Sequence, residues 1–300
     1  MQPIFRNVAV VGTGAMGRGI AQMAAQAGAT VWLFDAQPGA ADAARAALEG
    51  TWNSLVAKQR MATEAAADCL SRLRIAAAMT HLAACDLVVE AIVERLEIKQ
   101  KVFAELEGIV GPEAVLATNT SSLSVTAIGA ALKRPERFAG WHFFNPVPLM
   151  KVVEVIAGLK TDAAVCQRLD AFARAFGHTP VMAQDTPGFI VNHAGRGYGT
   201  EALRIVGESV SDFATIDRIL KDQLGFRLGP FELMDLTALD VSHPVMESIY
   251  HQYFEEPRYR PSVITAQRLA GGVVGRKVGE GFYRYADGKP AVPAEPPVPA

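Results

Sequence analysis

Three hundred residues, half of them hydrophobic and a fifth charged, exclude a disordered chain and allow one large domain or two ordinary ones. A chain of that length buries enough surface to need neither a disulfide nor a metal for its core. Its 29 Lys and Arg against 31 Asp and Glu leave a net charge of −2, which gives no global attraction to nucleic acid or an anionic membrane.

The opening residues Met1-Gln2-Pro3-Ile4-Phe5-Arg6 lack the charged-then-apolar layout of a secretory signal. The longest uncharged run, Ala114 to Leu132, carries Thr118, Asn119, Thr120, Ser121, Ser122, Ser124 and Thr126, a polar density that does not suit a membrane span. Cys69, Cys85 and Cys166 form no CxxC pair, so neither a disulfide framework nor a metal site is indicated. The expectation is a soluble cytoplasmic protein with three reduced thiols.

Short β-branched runs alternate with helical stretches along the first half. Strands are predicted at Asn7–Val11, Thr30–Phe34, Leu87–Ala91, Ala114–Ala117, Phe138–Phe144 and Val152–Ile156, with a short one at Pro180–Ala183. Helices are predicted at Ala15–Ala27, Arg95–Val110 and Thr161–Phe176, and the Ala-rich stretch Ala40–Arg74 reads as a helical hairpin. This alternation predicts an α/β fold with a doubly wound, mostly parallel sheet.

Asp185-Thr186-Pro187-Gly188 reads as a domain boundary. Beyond it the apolar spacing is helical, as in Phe213–Leu224 and Val263–Leu269, so an all-α domain is expected over residues 186–288. The tail Lys289–Ala300, with five prolines, is expected to have no fixed structure. No internal repeat is found.

Gly12-Thr13-Gly14-Ala15-Met16-Gly17 fits G-x-G-x-x-G, a weak string by itself among 26 glycines. Its context strengthens it. It follows a strand, opens a helix, and is followed 18 residues after Gly17 by Asp35 at a strand end. Gly12 suits the tight turn, Gly14 the approach of a pyrophosphate, and Gly17 close packing of helix on sheet. Free N–H groups and the helix dipole would stabilise phosphate charge. Asp35 would bond the adenosine ribose and repel a 2′-phosphate, and Ala36-Gln37-Pro38 supply no arginine, so NAD is favoured over NADP. The competing reading is an ordinary strand-to-helix turn.

A nicotinamide cofactor moves hydride, so an alcohol substrate needs a base for its hydroxyl proton. Of six histidines, His142 stands out, in Trp141-His142-Phe143-Phe144-Asn145-Pro146 at a predicted strand end. Ligands of open α/β sheets sit at such ends. Glu154 follows 12 residues on, at the start of the next strand, and a His–Glu pair would fix the tautomer. A core histidine between aromatics is the structural alternative.

Five ordered motifs then carry a resemblance: Gly12–Gly17; Val89-Glu90-Ala91-Ile92-Val93-Glu94; Thr118-Asn119-Thr120-Ser121-Ser122-Leu123-Ser124; the run from His142 to Val155; and Pro187-Gly188-Phe189-Ile190-Val191-Asn192. The chain resembles the 3-hydroxyacyl-CoA dehydrogenases, bacterial 3-hydroxybutyryl-CoA dehydrogenases among them, over nearly its whole length, through Gly275-Arg276-Lys277 and Gly279-Glu280-Gly281-Phe282-Tyr283. The resemblance implies a Rossmann NAD-binding domain over residues 1–185, then a helical domain for substrate binding and homodimer formation.

The implied reaction is NAD-dependent, reversible oxidation of an (S)-3-hydroxyacyl-CoA to the 3-ketoacyl-CoA. The resemblance implies His142 as general base, oriented by Glu154. It implies Ser121 and Asn192 at the substrate hydroxyl and thioester near the nicotinamide, and Glu94, Lys99, Asn145 and Lys277 at NAD. The hairpin would cover the nucleotide of coenzyme A, with Lys58 or Arg60 as the candidate contact.

The residues themselves leave other readings open. Ser121 could cap the helix starting near Ser124, Glu94 could cap the helix after it, and Lys99 beside Glu97 and Lys101 could belong to an exposed charged face. Asn192 and Lys277 could be solvated, as could any one cation of the hairpin. The chain departs from the family after Asn192, where His193-Ala194-Gly195-Arg196-Gly197-Tyr198-Gly199 replaces arginine and large aliphatics. Three glycines there weaken a helix by about 1 kcal/mol each and open space that would reshape the acyl pocket. Rival functions are a dehydrogenase of the same superfamily acting on a free hydroxy acid, such as a sugar acid or carnitine, and a non-catalytic NAD-binding protein.

Overall fold

A computed structural model describes residues 4–286 and the backbone of 289–293. The chain divides into two compact units, Met1–Phe189 and Ile190–Ala300.

The first unit is built on an eight-stranded sheet of β1 (Asn7–Val11), β2 (Thr30–Phe34), β3 (Leu73–Ile75), β4 (Leu87–Glu90), β5 (Val115–Thr118), β6 (Phe138–Phe143), β7 (Val152–Ala157) and β8 (Thr179–Gln184). Their spatial order is β3-β2-β1-β4-β5-β6-β7-β8, and every pairing is parallel except β6 with β7. Because β2 and β4 flank β1 on opposite sides, the chain reverses its direction of travel at β1. The carboxyl ends of β1 and β4 therefore form the crevice where open α/β sheets bind ligands.

Helices α1 (Ala15–Gln26), α2 (Ala40–Ala57), α3 (Thr63–Ser71), α4 (Leu96–Glu107), α5 (Val125–Gly129) and α6 (Ala163–Ala175) complete the unit. Strand periodicity sorts the core onto the two faces of the sheet. Val8 and Val10 of β1 join one hydrophobic cluster and Ala9 and Val11 the other. Likewise Trp141 and Phe143 of β6 enter the first cluster and Phe138 the second, which leaves His142 on the face opposite its two aromatic neighbours.

The expected hairpin Ala40–Arg74 is α2 and α3, but its last residues form β3 at the sheet edge, paired with β2. Three residues are too few to show a strand period, so helical composition masked them.

The second unit contains α7 (Val191–Gly207), α8 (Phe213–Leu224), α9 (Pro230–Thr237), α10 (Leu239–Gln252) and α11 (Val263–Ala270) around a core that includes Phe213, Phe231, Leu239 and Phe282. It also carries a two-stranded antiparallel sheet of β9 (Tyr283–Ala286) and β10 (Lys289–Pro293). The unit is therefore helical with a terminal β-ribbon, and the expectation of a structureless Lys289–Ala300 is corrected over 289–293. Prolines are tolerated there because β10 is an edge strand of a two-stranded sheet. Residues 294–300 lie outside the described residues. Despite its three glycines, α7 runs unbroken from Val191 to Gly207. Among the described residues, no helix is long and apolar enough to cross a membrane.

Candidate active site

The glycine turn closes on the carboxyl end of β1. Gly12 has φ +92°, and a Cβ there would lie 2.6 Å from the Ala91 carbonyl oxygen. A Cβ on Gly17 would lie 1.9 Å from the Gly12 carbonyl oxygen, so only glycine lets α1 pack this close to the turn. Gly14 differs: a Cβ built on it meets nothing within 4 Å. It is the N-cap of α1 and offers no side-chain cap, so the first N–H groups of the helix face open space. Ala15 follows at the helix start, and Met16 packs against the core.

Asp35 ties this turn to the end of β2. Its Oδ2 accepts from the Thr13 N–H (2.7 Å) and hydroxyl (2.9 Å), and its Oδ1 from the Gln37 N–H (3.0 Å). Desolvation pushes the Asp35 carboxyl up, but the Gln37 and Thr13 donors outweigh it and hold the group below its ordinary value. A charged carboxylate, an open Gly14 and an uncapped helix start fit the ribose and pyrophosphate of NAD.

A second cluster is anchored on β4. Glu90 is fully buried; its Oε1 accepts from Lys99 Nζ (2.6 Å) and the Ile92 N–H (2.7 Å), and its Oε2 from the Thr118 hydroxyl (2.7 Å). Lys99 is 1% exposed and also reaches Glu94 Oε2 at 3.2 Å. Glu97 and Lys101 are exposed, but Lys99 is not part of that face, and its ammonium is engaged by two carboxylates. Glu94 does not cap α4 either, whose N-cap is Arg95. Its Oε1 instead accepts from the Thr120 hydroxyl (2.6 Å) and the Ser121 N–H (2.9 Å), with the Ser122 N–H and hydroxyl both at 3.2 Å. Burial raises the Glu94 carboxyl, and the Lys99 charge with the Thr120 and Ser121 donors more than reverses this, leaving it below its ordinary value.

Ser121 is thereby held in the loop after β5, its hydroxyl 3.4 Å from Glu94 Oε1. The capping role considered for it falls to Ser124, whose Oγ accepts from the Ala127 N–H, while Asp185 accepts from the Val125 and Thr126 N–H groups.

His142 and Glu154 face each other in the antiparallel register of β6 and β7. His142 Nδ1 and Glu154 Oε2 are 2.6 Å apart, with the residues 4% and 0% exposed. The imidazole packs on Phe144 and Phe189, ring centroids at 4.5 and 5.8 Å. Trp141 and Phe143 face the other side of the sheet, so the aromatic rings around the imidazole are Phe144 and Phe189 rather than its strand neighbours. Asn119, which the sequence reading left without a role, accepts from the Phe143 N–H at 2.9 Å and ties the end of β5 to the strand carrying His142.

A groove of about 600 Å³ runs from the glycine turn along α1 and α2, lined by Ala15, Arg18, Arg60, Asn145 and Lys151 among others. Arg60, in the link after α2, lines it; Lys58, an exposed residue at the C-cap of α2, does not. The remaining two expected residues belong to the second unit. Asn192 is the second residue of α7, and Lys277 lies in a short 3₁₀ turn, ion-paired with Asp240.

Glu90 and Asn119 are the residues whose importance the sequence understated. A charge closing an apolar strand, as in Leu87-Val88-Val89-Glu90, was the available signal for the first. No local pattern marks the second.

Two family models cover the chain: 3-hydroxyacyl-CoA dehydrogenase, NAD binding domain, over residues 7–186, and 3-hydroxyacyl-CoA dehydrogenase, C-terminal domain, over 188–285. A 3-hydroxyadipyl-CoA dehydrogenase of Escherichia coli is 42% identical over 96% of this chain, which spans 60% of that protein's length. A 3-hydroxybutyryl-CoA dehydrogenase of Bradyrhizobium diazoefficiens is 38% identical over 97% of this chain and 99% of that one. Among solved structures, the (S)-3-hydroxybutyryl-CoA dehydrogenase of Ralstonia eutropha superposes with a TM-score of 0.90 at 35% identity, covering 94% of this chain and 100% of that one. With both domain models matched in order and relatives aligned over their full length, the chain belongs to the 3-hydroxyacyl-CoA dehydrogenases, NAD-dependent oxidoreductases of CH–OH donors.

Proposed function

We propose that this chain oxidises an (S)-3-hydroxyacyl-CoA to the 3-ketoacyl-CoA, reversibly, with His142 as the general base and Glu154 as the residue that positions it. The observation that carries this reading is the 2.6 Å contact between His142 Nδ1 and Glu154 Oε2. A carboxylate there accepts the Nδ1 proton and leaves the Nε2 lone pair as the base. Nε2 takes the proton of the 3-hydroxyl, and the buried carboxylate stabilises the imidazolium that forms. In the reductive direction the same nitrogen returns the proton. Phe144 and Phe189 exclude water from one side of the ring.

Bound NAD supplies the acceptor for the hydride leaving the carbinol carbon. Gly12, Gly14, Ala15, Met16 and Gly17 would hold its pyrophosphate, Asp35 its adenosine ribose, and Glu94, Ser121 and Asn145 its nicotinamide half. Lys99 acts in this reading through Glu94, whose carboxylate it fixes against the Ser121 loop. The groove beside the glycine turn has the volume and the cations, Arg18, Arg60 and Lys151, for the phosphate-rich nucleotide of coenzyme A.

The decisive assay follows NADH formation from (S)-3-hydroxybutyryl-CoA. Turnover with NAD that free 3-hydroxybutyrate does not support is the expected result, and equal turnover of the free acid overturns the reading. Relatives are named for different acyl groups, hydroxybutyryl and hydroxyadipyl, so family membership leaves the end of the acyl chain open.

The protein is further read as a cytoplasmic homodimer joined through its helical unit. Supporting the dimer are the apolar side chains that unit exposes, Val210, Leu224 and Phe254 among them. Light scattering behind a sizing column tests it, with a mass twice that of the chain expected.

A further inference from the structure

The loop between β6 and β7 lines the groove with Asn145, Val147, Leu149 and Lys151 among its residues, yet it has few attachments to the rest of the first unit. From Phe144 to Val152 only Val147 is buried, at 1% exposure, while Leu149 and Met150 stand 70% and 45% exposed. The Leu149 and Met150 N–H groups bond back to the Pro146 carbonyl, which shapes the loop without fixing it to the sheet. The place of the loop between Asn145 and Lys151 therefore depends on what holds Val147.

Two groups hold it, one at the side chain and one at the backbone. The side chain is seated on Gly19 of α1, where an added Cβ would lie 2.7 Å from Val147 Cβ. The carbonyl is met by His178, a histidine that the proposed chemistry does not use, buried at 5% exposure in the turn between α6 and β8. Its Nε2 lies 2.9 Å from the Val147 oxygen. A carbonyl oxygen only accepts, so Nε2 carries the proton. His178 is itself fixed. Its N–H bonds to the Ala173 carbonyl, and its ring stands edge-on to Phe143 and Phe176, centroids at 5.5 and 6.0 Å. Desolvation pushes its pKa down, the Val147 bond opposes this, and the Lys151 charge lowers it further, so the ring is neutral above its ordinary value of 6.5.

We propose that His178 is a positioning residue for ligand binding: its Nε2–H, donated to the Val147 carbonyl, holds the β6–β7 loop where Asn145 meets NAD and Lys151 meets the acyl-CoA. This rests on the dehydrogenase reading above, which assigns those two contacts. A buried carbonyl that loses its donor is strongly disfavoured, so without His178 the loop shifts to find another partner and carries the residues on either side of Val147 with it. The base stays in place. His142 and Glu154 are paired on the ladder that ends at Phe143 and Val153, before the loop begins. Loss of the His178 bond therefore falls on affinity and spares the proton transfer.

The test separates affinity from turnover. Each variant is titrated with NADH by fluorescence and assayed with (S)-3-hydroxybutyryl-CoA and NAD. His178→Leu removes the donor and is expected to weaken NADH binding and raise the thioester KM about tenfold each, with kcat within about twofold of native. His178→Gln, whose amide nitrogen reaches as far as Nε2, restores both affinities, whereas His178→Asn, polar but one carbon shorter, does not. The Gln and Asn variants carry the test should His178→Leu fail to fold. Native affinity for both ligands in His178→Leu or His178→Asn overturns the proposal, and so does a fall in kcat at native affinity. A Gln variant as weak as the Asn variant also overturns it, because the imidazole then acts by packing alone. Absence of NADH formation by the native protein removes the dehydrogenase reading, while the NADH titrations still decide the role of His178.

Discussion

Glu154 stands directly across from His142 on the β6–β7 ladder, and this is the one pairing in the eight-stranded sheet where neighbouring strands run in opposite directions. Antiparallel pairing puts residues face to face, so the ladder itself sets the distance between imidazole and carboxylate. Replacing Glu154 by Gln keeps the volume and removes the charge that stabilises the imidazolium. A fall in kcat of about 10²- to 10⁴-fold is expected for Glu154→Gln, and a fall at least as large for His142→Gln. Binding of NADH, followed by fluorescence titration, should be nearly unchanged in both. A variant that kept native kcat would remove its residue from the proposed chemistry.

The same closeness to the site governs a charge cluster that never meets the base. Glu90 is fully buried, and Lys99 is its cationic partner. Lys99→Met leaves that carboxylate uncompensated and should destabilise the first unit by about 3–5 kcal/mol, read from urea unfolding. Glu94 adds a pH signature. Its folded pKa lies below the ordinary 4.5, so its contribution is present above that pH and is lost as pH falls through the lower folded value. Acid unfolding of Glu94→Gln should therefore have a shallower dependence on pH below 4.5 than that of the native chain. An unchanged slope would show that Glu94 is not held in this way.

How much of this could be read beforehand follows from the range of the interactions. The Gly12–Gly17 turn and Asp35 were legible because strand, turn, helix and second strand are consecutive in the chain, and each glycine has a local steric reason. His142 was legible as a candidate, but its orientation was not: only the alternation along β6 shows that Trp141 and Phe143 fill one face while the imidazole takes the other. The hydrogen-bond partners of Ser121, Glu94 and Lys99 were not legible from their neighbours in sequence. Their partners are 27 residues apart in the case of Ser121 and Glu94, and depend on how β4 and β5 pair. The strand β3 and the ribbon β9–β10 escaped because three to five residues, with prolines in β10, carry too little pattern.

Gly17 and Gly14 separate two jobs within one turn. A methyl at Gly17 collides with the Gly12 backbone at 1.9 Å, so Gly17→Ala should cost both stability and NAD affinity. A methyl at Gly14 meets nothing in the protein, and φ there is −62°, which alanine adopts freely. Gly14→Ala should therefore melt at the native temperature while binding NADH at least about tenfold more weakly, because the methyl occupies the approach of the pyrophosphate. Calorimetric titration beside thermal unfolding distinguishes the two. Native NADH affinity in Gly14→Ala would place the pyrophosphate elsewhere.

Arg60 and Lys58 offer a similar contrast two residues apart, and here the structure separates what composition could not. Arg60 lines the groove beside α1 and α2, while Lys58 does not. If coenzyme A lies there, Arg60→Ala removes one charge-assisted contact to phosphate and should raise KM for the acyl-CoA about tenfold. Lys58→Ala should change it less than twofold, the usual scale for an exposed charge at some distance. A substrate carrying only the pantetheine arm provides the control. It lacks the nucleotide, so Arg60→Ala should leave its KM as it is in the native protein. Equal losses on the full and truncated thioesters would mean that Arg60 shapes the groove rather than binding phosphate, and would move the nucleotide away from the α2–α3 arm.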